Sequence, residues 1–173
     1  MSGTEANRYE PVNVSRQIEA DPSVIFELLS DPGRHPEIDG SGMLRATSAT
    51  AITGVGDEFS MAMYFEPVGG DYVMINRVVE FETDRRIGWE PAPGDETASG
   101  NGGIPVGTRV GHRWSFELTP GDHGSTIVTE TYDCSDAPND LQQVLDGGKY
   151  WKEAMTKTLT LIDELCTRGE PAA

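Results

Sequence analysis

Two ionisable side chains, His112 and Glu130, stand where the pattern of their neighbours would carry them to the inside of a fold. From Thr108 to Thr119, residues Val110, His112, Trp114, Phe116 and Leu118 fall on one side of an extended chain, with Arg109, Arg113, Ser115 and Glu117 on the other. From Ser125 to Cys134 the same period of two sets Val128, Glu130 and Tyr132 against Ile127, Thr129, Thr131 and Asp133. If the apolar members face a core, the imidazole and the carboxyl go with them. Desolvation raises the pKa of a carboxyl and lowers that of an imidazole, so the pair could move a proton to or from a bound molecule as general acid and base. It could also orient a ligand without reacting. A third possibility is that the two groups, or one of them and a tyrosine, satisfy each other's hydrogen bonds.

Other residues could wall the space these groups would face. Phe59, Met61, Met63 and Phe65 share one side of a strand, suited to a core or to an adaptable pocket wall. Phe26 lies on the apolar side of a short helix. Toward the C-terminus Leu141, Val144, Leu145, Gly148, Trp151, Met155, Leu159, Ile162 and Leu165 recur at steps of three and four, one stripe of a long helix. Its wet face carries Lys152, Glu153, Lys157, Asp163, Glu164 and Arg168. Gly147-Gly148 interrupts the stripe, either as a helix start or kink, or as room left for a ligand beneath the helix. No GxSxG, phosphate loop, HExxH or dinucleotide fingerprint is present. His35, His112 and His123 are the only histidines, and Cys134 and Cys166 have no metal-ligand spacing. No metal or cofactor is therefore expected, and the two thiols read as reduced.

The elements that must position these residues follow one another in a simple order. A half-buried strand over Val12–Ala20 stops at Asp21-Pro22, an N-cap and first-position pair that starts a helix with Val24, Ile25, Phe26, Leu28 and Leu29 on its apolar side. A second pair, Asp31-Pro32, opens another short helix through His35 to Ile38, closed by Asp39-Gly40-Ser41-Gly42. Strands are then expected over Leu44–Thr53, Glu58–Glu66, Tyr72–Thr83, Ile87–Glu90, Thr108–Thr119 and Ser125–Cys134, antiparallel neighbours joined by Gly- and Pro-rich turns. Residues 91–107 lack periodicity and read as a flexible loop or flap. The final helix is expected over Lys149–Thr167. This is an α+β arrangement: a seven-stranded antiparallel sheet that must curl around one long helix, with two short helices after strand one. A sheet curled in that way tends to leave a cavity.

Composition narrows the partners. The 173 residues suit a single domain, with flexible tails expected at 1–10 and 168–173. Thirteen basic against 29 acidic side chains give a net charge of −16, which repels phosphate backbones and anionic lipid surfaces. No apolar run approaches a membrane span, and the polar start MSGTEANRYE does not read as a signal peptide. The expectation is a cytoplasmic protein, monomeric or weakly homodimeric, binding neither nucleic acid nor membrane interior.

Four segments carry a resemblance to a known family: Val14–Gly42, Arg77–Trp89, Trp114–Asp133 and the final helix led by Trp151. Together they resemble the START-like polyketide cyclase/dehydrase and lipid-transport superfamily, also called SRPBCC. That resemblance implies the helix-grip fold, with a hydrophobic tunnel between sheet and helix. It implies no single function, since members include lipid and hormone carriers, aromatase/cyclases and chaperone activators. In such a fold His35 would border the tunnel mouth, as a gate or as an ordinary turn residue, and Trp151 would pack in the core or stack on a ligand. The expected function is binding of a hydrophobic or aromatic, lipid- or polyketide-like small molecule. The expected ligand set is Phe26, His35, Phe59, Met61, Met63, His112, Trp114, Phe116, Glu130, Tyr132, Gly148, Trp151 and Met155. A cyclase/dehydratase using Glu130 and His112 is the first alternative, and a partner-binding module the second.

Overall fold

The computed structural model describes residues 9–48, 50–100 and 103–168. Seven strands, β1 (Val12–Ile18), β2 (Leu44–Thr47), β3 (Glu58–Phe65), β4 (Gly70–Glu82), β5 (Arg86–Pro93), β6 (Arg113–Pro120) and β7 (Thr126–Asp133), form one antiparallel sheet in the order β1-β7-β6-β5-β4-β3-β2. The helices are α1 (Pro22–Leu29), α2 (His35–Ile38), α3 (Asn139–Val144) and the long α4 (Lys152–Thr167). From β2 to β7 each strand pairs with its neighbour in sequence. Only β1 is out of turn, pairing with β7 so that Val14 lies opposite Glu130 and Val12 opposite Tyr132.

The sheet curls because its longest strand is irregular. In β4 the register to β5 shifts between Val78 and Glu80, and in β2 the register to β3 shifts between Leu44 and Ala46. An extra residue on one side of a ladder bends the strand and raises its twist. The concave face receives α4, which buries Met155, Thr158, Leu159 and Ile162 and leaves Lys152, Glu153 and Lys157 in solvent. Ion pairing of Arg16 Nε with Asp163 Oδ2 at 2.6 Å fastens β1 to the outer flank of α4. At one end Ile18, Ile25, Leu28, Leu29, Ile87, Val128, Leu159 and Ile162 fill the space completely. Each such side chain contributes about 1.5–3 kcal/mol by its removal from water. The other end is not filled.

Several boundaries differ from the expected ones. Asp21 occupies the N-cap of α1 but makes no side-chain cap bond, whereas Asp31 accepts from Gly33 N at 3.1 Å. Val24, expected on the apolar side of α1, is 47% exposed. Strand β2 ends at Thr47, not Thr53, and β6 begins at Arg113, not Thr108. Conversely β5 runs on to Pro93, so the segment 91–107 is not loop from its start: Pro91, Ala92 and Pro93 are buried and paired with Asn76, Ile75 and Met74. Prolines are tolerated there because β5 pairs with β6 only as far as Trp89. Pro93 O accepts from Gly107 N at 2.8 Å, so the polar edge of that residue faces away from β4, where a missing N–H costs no ladder bond. The turn that follows is tied down by Asp95, which accepts from Val73 N (3.0 Å) and Ala98 N (2.8 Å). Residues 101–102 of the expected loop, and residues 1–8 and 169–173 of the expected tails, lie outside the described residues.

The C-terminal stripe is not one helix. Asp146, Gly147 and Gly148 have φ of +48°, +64° and +100°, three consecutive left-handed residues that separate α3 from α4. The helical period therefore restarts after the turn, and Val144 is left 78% exposed. Among the described residues no helix is long and apolar enough to cross a membrane.

Candidate ligand cavity

Between the concave sheet and α4 lies a cavity of about 310 Å³. Five successive strands supply its wall: Met61 and Met63 from β3, Tyr72, Met74 and Asn76 from β4, Trp89 and Pro91 from β5, Trp114 and Phe116 from β6, and Glu130 and Tyr132 from β7. His112 adds to the wall just before β6. Opposite stand His35 and Ile38 on α2 with Asp39 just after it, Leu141 on α3 with Leu145 just after it, and Trp151, Met155 and Thr158 at the start of α4. Half-exposed Met43, Leu44, Met63, Leu141 and Leu145 mark where it meets solvent. The volume suits a compact ligand. All three tryptophans of the chain line it.

Of the residues expected at the site, His35, Met61, Met63, His112, Trp114, Phe116, Glu130, Tyr132, Trp151 and Met155 border this cavity. Phe26, Phe59 and Gly148 do not. Phe26 packs edge-on against Phe81 at 5.4 Å, and Phe59 lies edge-on to His35 and Trp89, behind the wall. Gly148 leaves room for the protein itself: a Cβ there would come within 2.5 Å of the Tyr132 ring. The gap under the glycine pair is filled by tyrosine, not open to a ligand.

The polar groups divide into satisfied and unsatisfied ones. His35 is buried, stacked on Trp89 at 5.4 Å, with Nε2 2.8 Å from Leu29 O. That oxygen can only accept, so Nε2 carries the proton, and the bond clamps α2 to the end of α1. Burial pulls its pKa down, partly offset by the bond to Leu29. His112 Nδ1 meets the Tyr132 hydroxyl at 3.1 Å, so His112 is paired with the tyrosine and not with Glu130. Desolvation lowers His112 to about 4 and raises Tyr132. Trp114 packs on Tyr132 at 4.5 Å and edge-on to Trp151 at 5.8 Å, completing an aromatic corner.

Glu130 is 4% exposed and its Oε2 has no hydrogen-bond partner among the described residues. Across the ladders it faces Phe116 and Val14. Desolvation, reinforced by the charge of Asp39, raises its pKa well above the ordinary carboxyl value, which favours the protonated form. Asn76 is 2% exposed and its Nδ2 is likewise unpartnered, between Phe59 and Pro91 on the neighbouring strands. Tyr72, also burdened by desolvation and by Asp39, rises to about 12. Asp39 itself is occupied: it accepts from Ser41 N (3.0 Å), Ser41 Oγ (2.6 Å) and Leu44 N (2.8 Å). Among the described residues no group of His, Cys, Asp and Glu could hold a metal ion.

Asn76, Trp89, Tyr72 and Asp39 were not among the expected site residues. For the first three a signal existed, since Tyr72, Met74, Asn76 and Val78 share one period-two face, as do Ile87 and Trp89. Asp39 sits in a Gly/Ser segment with no periodicity and could not have been found that way. Changing Tyr132 to Phe should remove the bond to His112, lowering stability by about 1 kcal/mol in urea unfolding while preserving the aromatic corner. An unchanged midpoint and slope would mean that the bond contributes nothing.

No family model matches this chain. The uncharacterized protein Rv0088 of Mycobacterium tuberculosis is 31% identical over 126 residues, covering 71% of this chain and 48% of the relative; MT0096 from another strain of that organism matches to the same extent. The chain thus spans about half the length of the curated relatives it matches. Among solved structures, protein Ms6760 from Mycobacterium smegmatis aligns with a TM-score of 0.64 at 18% identity over 93% of both chains. A protein from Arthrobacter aurescens aligns at 0.66 and 14% identity, over 99% of this chain and 93% of the other. CV1439 from Chromobacterium violaceum aligns at 0.63 and 13% identity, over 92% of this chain and 99% of its own. What these likenesses have in common is the fold: a curled antiparallel sheet closed by a long C-terminal helix.

Proposed function

We propose that this chain is a START-like, SRPBCC-type domain that holds one hydrophobic or aromatic small molecule between its sheet and α4. The observation that carries this reading is an aromatic- and methionine-walled cavity of about 310 Å³ whose wall residues hold three buried polar atoms, Glu130 Oε2, Asn76 Nδ2 and Trp151 Nε1, with no partner among the described residues. Buried polar atoms are costly when unpaired, and a ligand that meets them recovers that cost. Apolar walls supply the driving force and the polar atoms the orientation. An environment-sensitive naphthalene dye should bind with micromolar affinity, quench the three wall tryptophans and be displaced by a flat aromatic competitor. Folded protein that leaves both dye and tryptophan emission unchanged would remove this reading.

A second reading, a lyase-like cyclase/dehydratase acting on a polyketide-like substrate, draws on one specific feature. Burial favours the protonated form of Glu130, a residue of the cavity wall whose Oε2 is unpartnered among the described residues, the condition a general acid needs. His112, bonded to Tyr132, would then act through the tyrosine and not through Glu130.

A further inference from the structure

The cavity has an unusual inventory of charge. Among the described residues no Lys or Arg borders it, and burial favours the neutral form of its two histidines, one donating to Leu29 O and the other bonded to the Tyr132 hydroxyl. Its acidic members are Asp39 and Glu130. A carboxylate or phosphate brought inside would lose its water, find no cation and lie near two carboxyl groups. Desolvation of an ion without a partner is among the largest penalties in a protein interior.

An ammonium ion fares little better. The Asp39 carboxylate is already engaged by two backbone N–H groups and the Ser41 hydroxyl. The rings that could form a cationic cage already have aromatic neighbours: Trp89 stacks on His35, and Trp114 packs against Tyr132 at a tilt of 46°. Glu130 lies between Val128 and Tyr132 along its strand, opposite Phe116 and Val14, and would have to ionise in that apolar setting. What the wall leaves open is the amide NH2 of Asn76, the indole N–H of Trp151 and, on Glu130, one carboxyl group able to donate or accept. Those positions match an oxygen that carries no charge.

We propose that the cavity selects by charge as well as by shape: its ligand is an uncharged aromatic or alicyclic molecule bearing a hydroxyl or carbonyl oxygen for Glu130 or Asn76, and ions of the same size are excluded. The proposal rests on the cavity being a ligand site. It excludes free fatty acids, aromatic carboxylates and phosphate esters from a space that would otherwise admit their apolar parts.

The test uses probes of one shape and different charge, titrated into the full chain at pH 7 by tryptophan fluorescence and calorimetry: 2-naphthalenemethanol, methyl 2-naphthoate, 2-naphthoate and 2-naphthylmethylammonium. The alcohol and the ester should bind at least about tenfold more tightly than either ion. The preference should persist in 1 M salt, which screens the surface charge of the chain beyond about 3 Å but not a buried site. Asn76→Leu or Glu130→Gln should change the ratio of alcohol to plain naphthalene affinity, a readout that general loosening of the wall would not move. Binding of the carboxylate or the ammonium ion as tight as that of the alcohol, or a preference that vanishes in salt, overturns the selectivity while leaving the cavity as a ligand site. If none of the four probes binds, the ligand-site reading fails first and the proposal with it.

Discussion

Glu130→Gln is expected to stabilise the protein by an amount that grows with pH. Below the ordinary carboxyl pKa of about 4.3, Glu130 is protonated both folded and unfolded and contributes no pH dependence. Above it the unfolded chain releases the proton, while the folded chain keeps it, because burial and the charge of Asp39 raise the folded value. The folded state then binds more protons, and stability falls by about 1.4 kcal/mol per pH unit until the raised value is reached. Glutamine has no proton to hold back. The gap in melting temperature between variant and parent should therefore widen by about 3–6 °C for each unit above pH 5 until the raised value is reached, the scale for a chain of this size. His35 and His112 act in the opposite sense. Their folded values lie below the ordinary 6.5, so they add stability as pH rises through the acid range. Both are present in either protein and cancel in the difference. A gap that stays constant from pH 5 to 8 would mean that Glu130 is ionised, or not desolvated, in the folded state.

The second large effect is expected at Gly40. The chain leaving α2 passes so close to α4 that a Cβ at residue 40 would overlap Ala154 O and stand 2.6 Å from Thr158 N. These are backbone atoms inside a helix, which cannot swing aside as the end of a side chain can. Gly40 N also donates to Thr158 Oγ1 at 3.0 Å. In Gly40→Ala the segment must move away from the helix, breaking that bond and straining the loop that Asp39 holds through Ser41 and Leu44. The expected loss is about 2–4 kcal/mol, the range for overpacking combined with a broken buried contact. Because Ile38, Asp39, Ser41, Ala154 and Thr158 all border the cavity, ligand affinity should fall as well. Gly54→Ala is the control, since nothing lies within 4 Å of a Cβ there. Equal melting temperatures for the two variants would show that the close approach of residue 40 to α4 does not constrain the fold.

Much of the scaffold was legible because it rests on local periodicity. Alternation along β7 placed Val128, Glu130 and Tyr132 inward, and they are buried while Ile127 is exposed. The same argument put Trp114, Phe116 and His112 on the cavity side of the chain at β6. Where alternation was not followed, in β4, Asn76 was missed although its neighbours in phase marked its face. The glycine pair at 147–148 was legible as a break, but not as a packing site for Tyr132, since that depends on a strand that ends 14 residues earlier.

By itself the sequence determined the α+β order, the inward phase of the strands and the apolar stripe of the last helix, because each is set by the spacing of neighbours along one chain. Only the tertiary structure decided which inward residues face empty space and which face other side chains. Phe59 and Met61 share a face of β3, yet one is behind the wall and the other is part of it. Tertiary structure also decided that His112 pairs with Tyr132 and that Glu130 Oε2 is left without a partner among the described residues, since each outcome depends on the register of β1, β6 and β7. Contacts between residues far apart in sequence follow from how the sheet bends, and that bend comes from register shifts at Val78/Glu80 and Leu44/Ala46 that no local pattern announces.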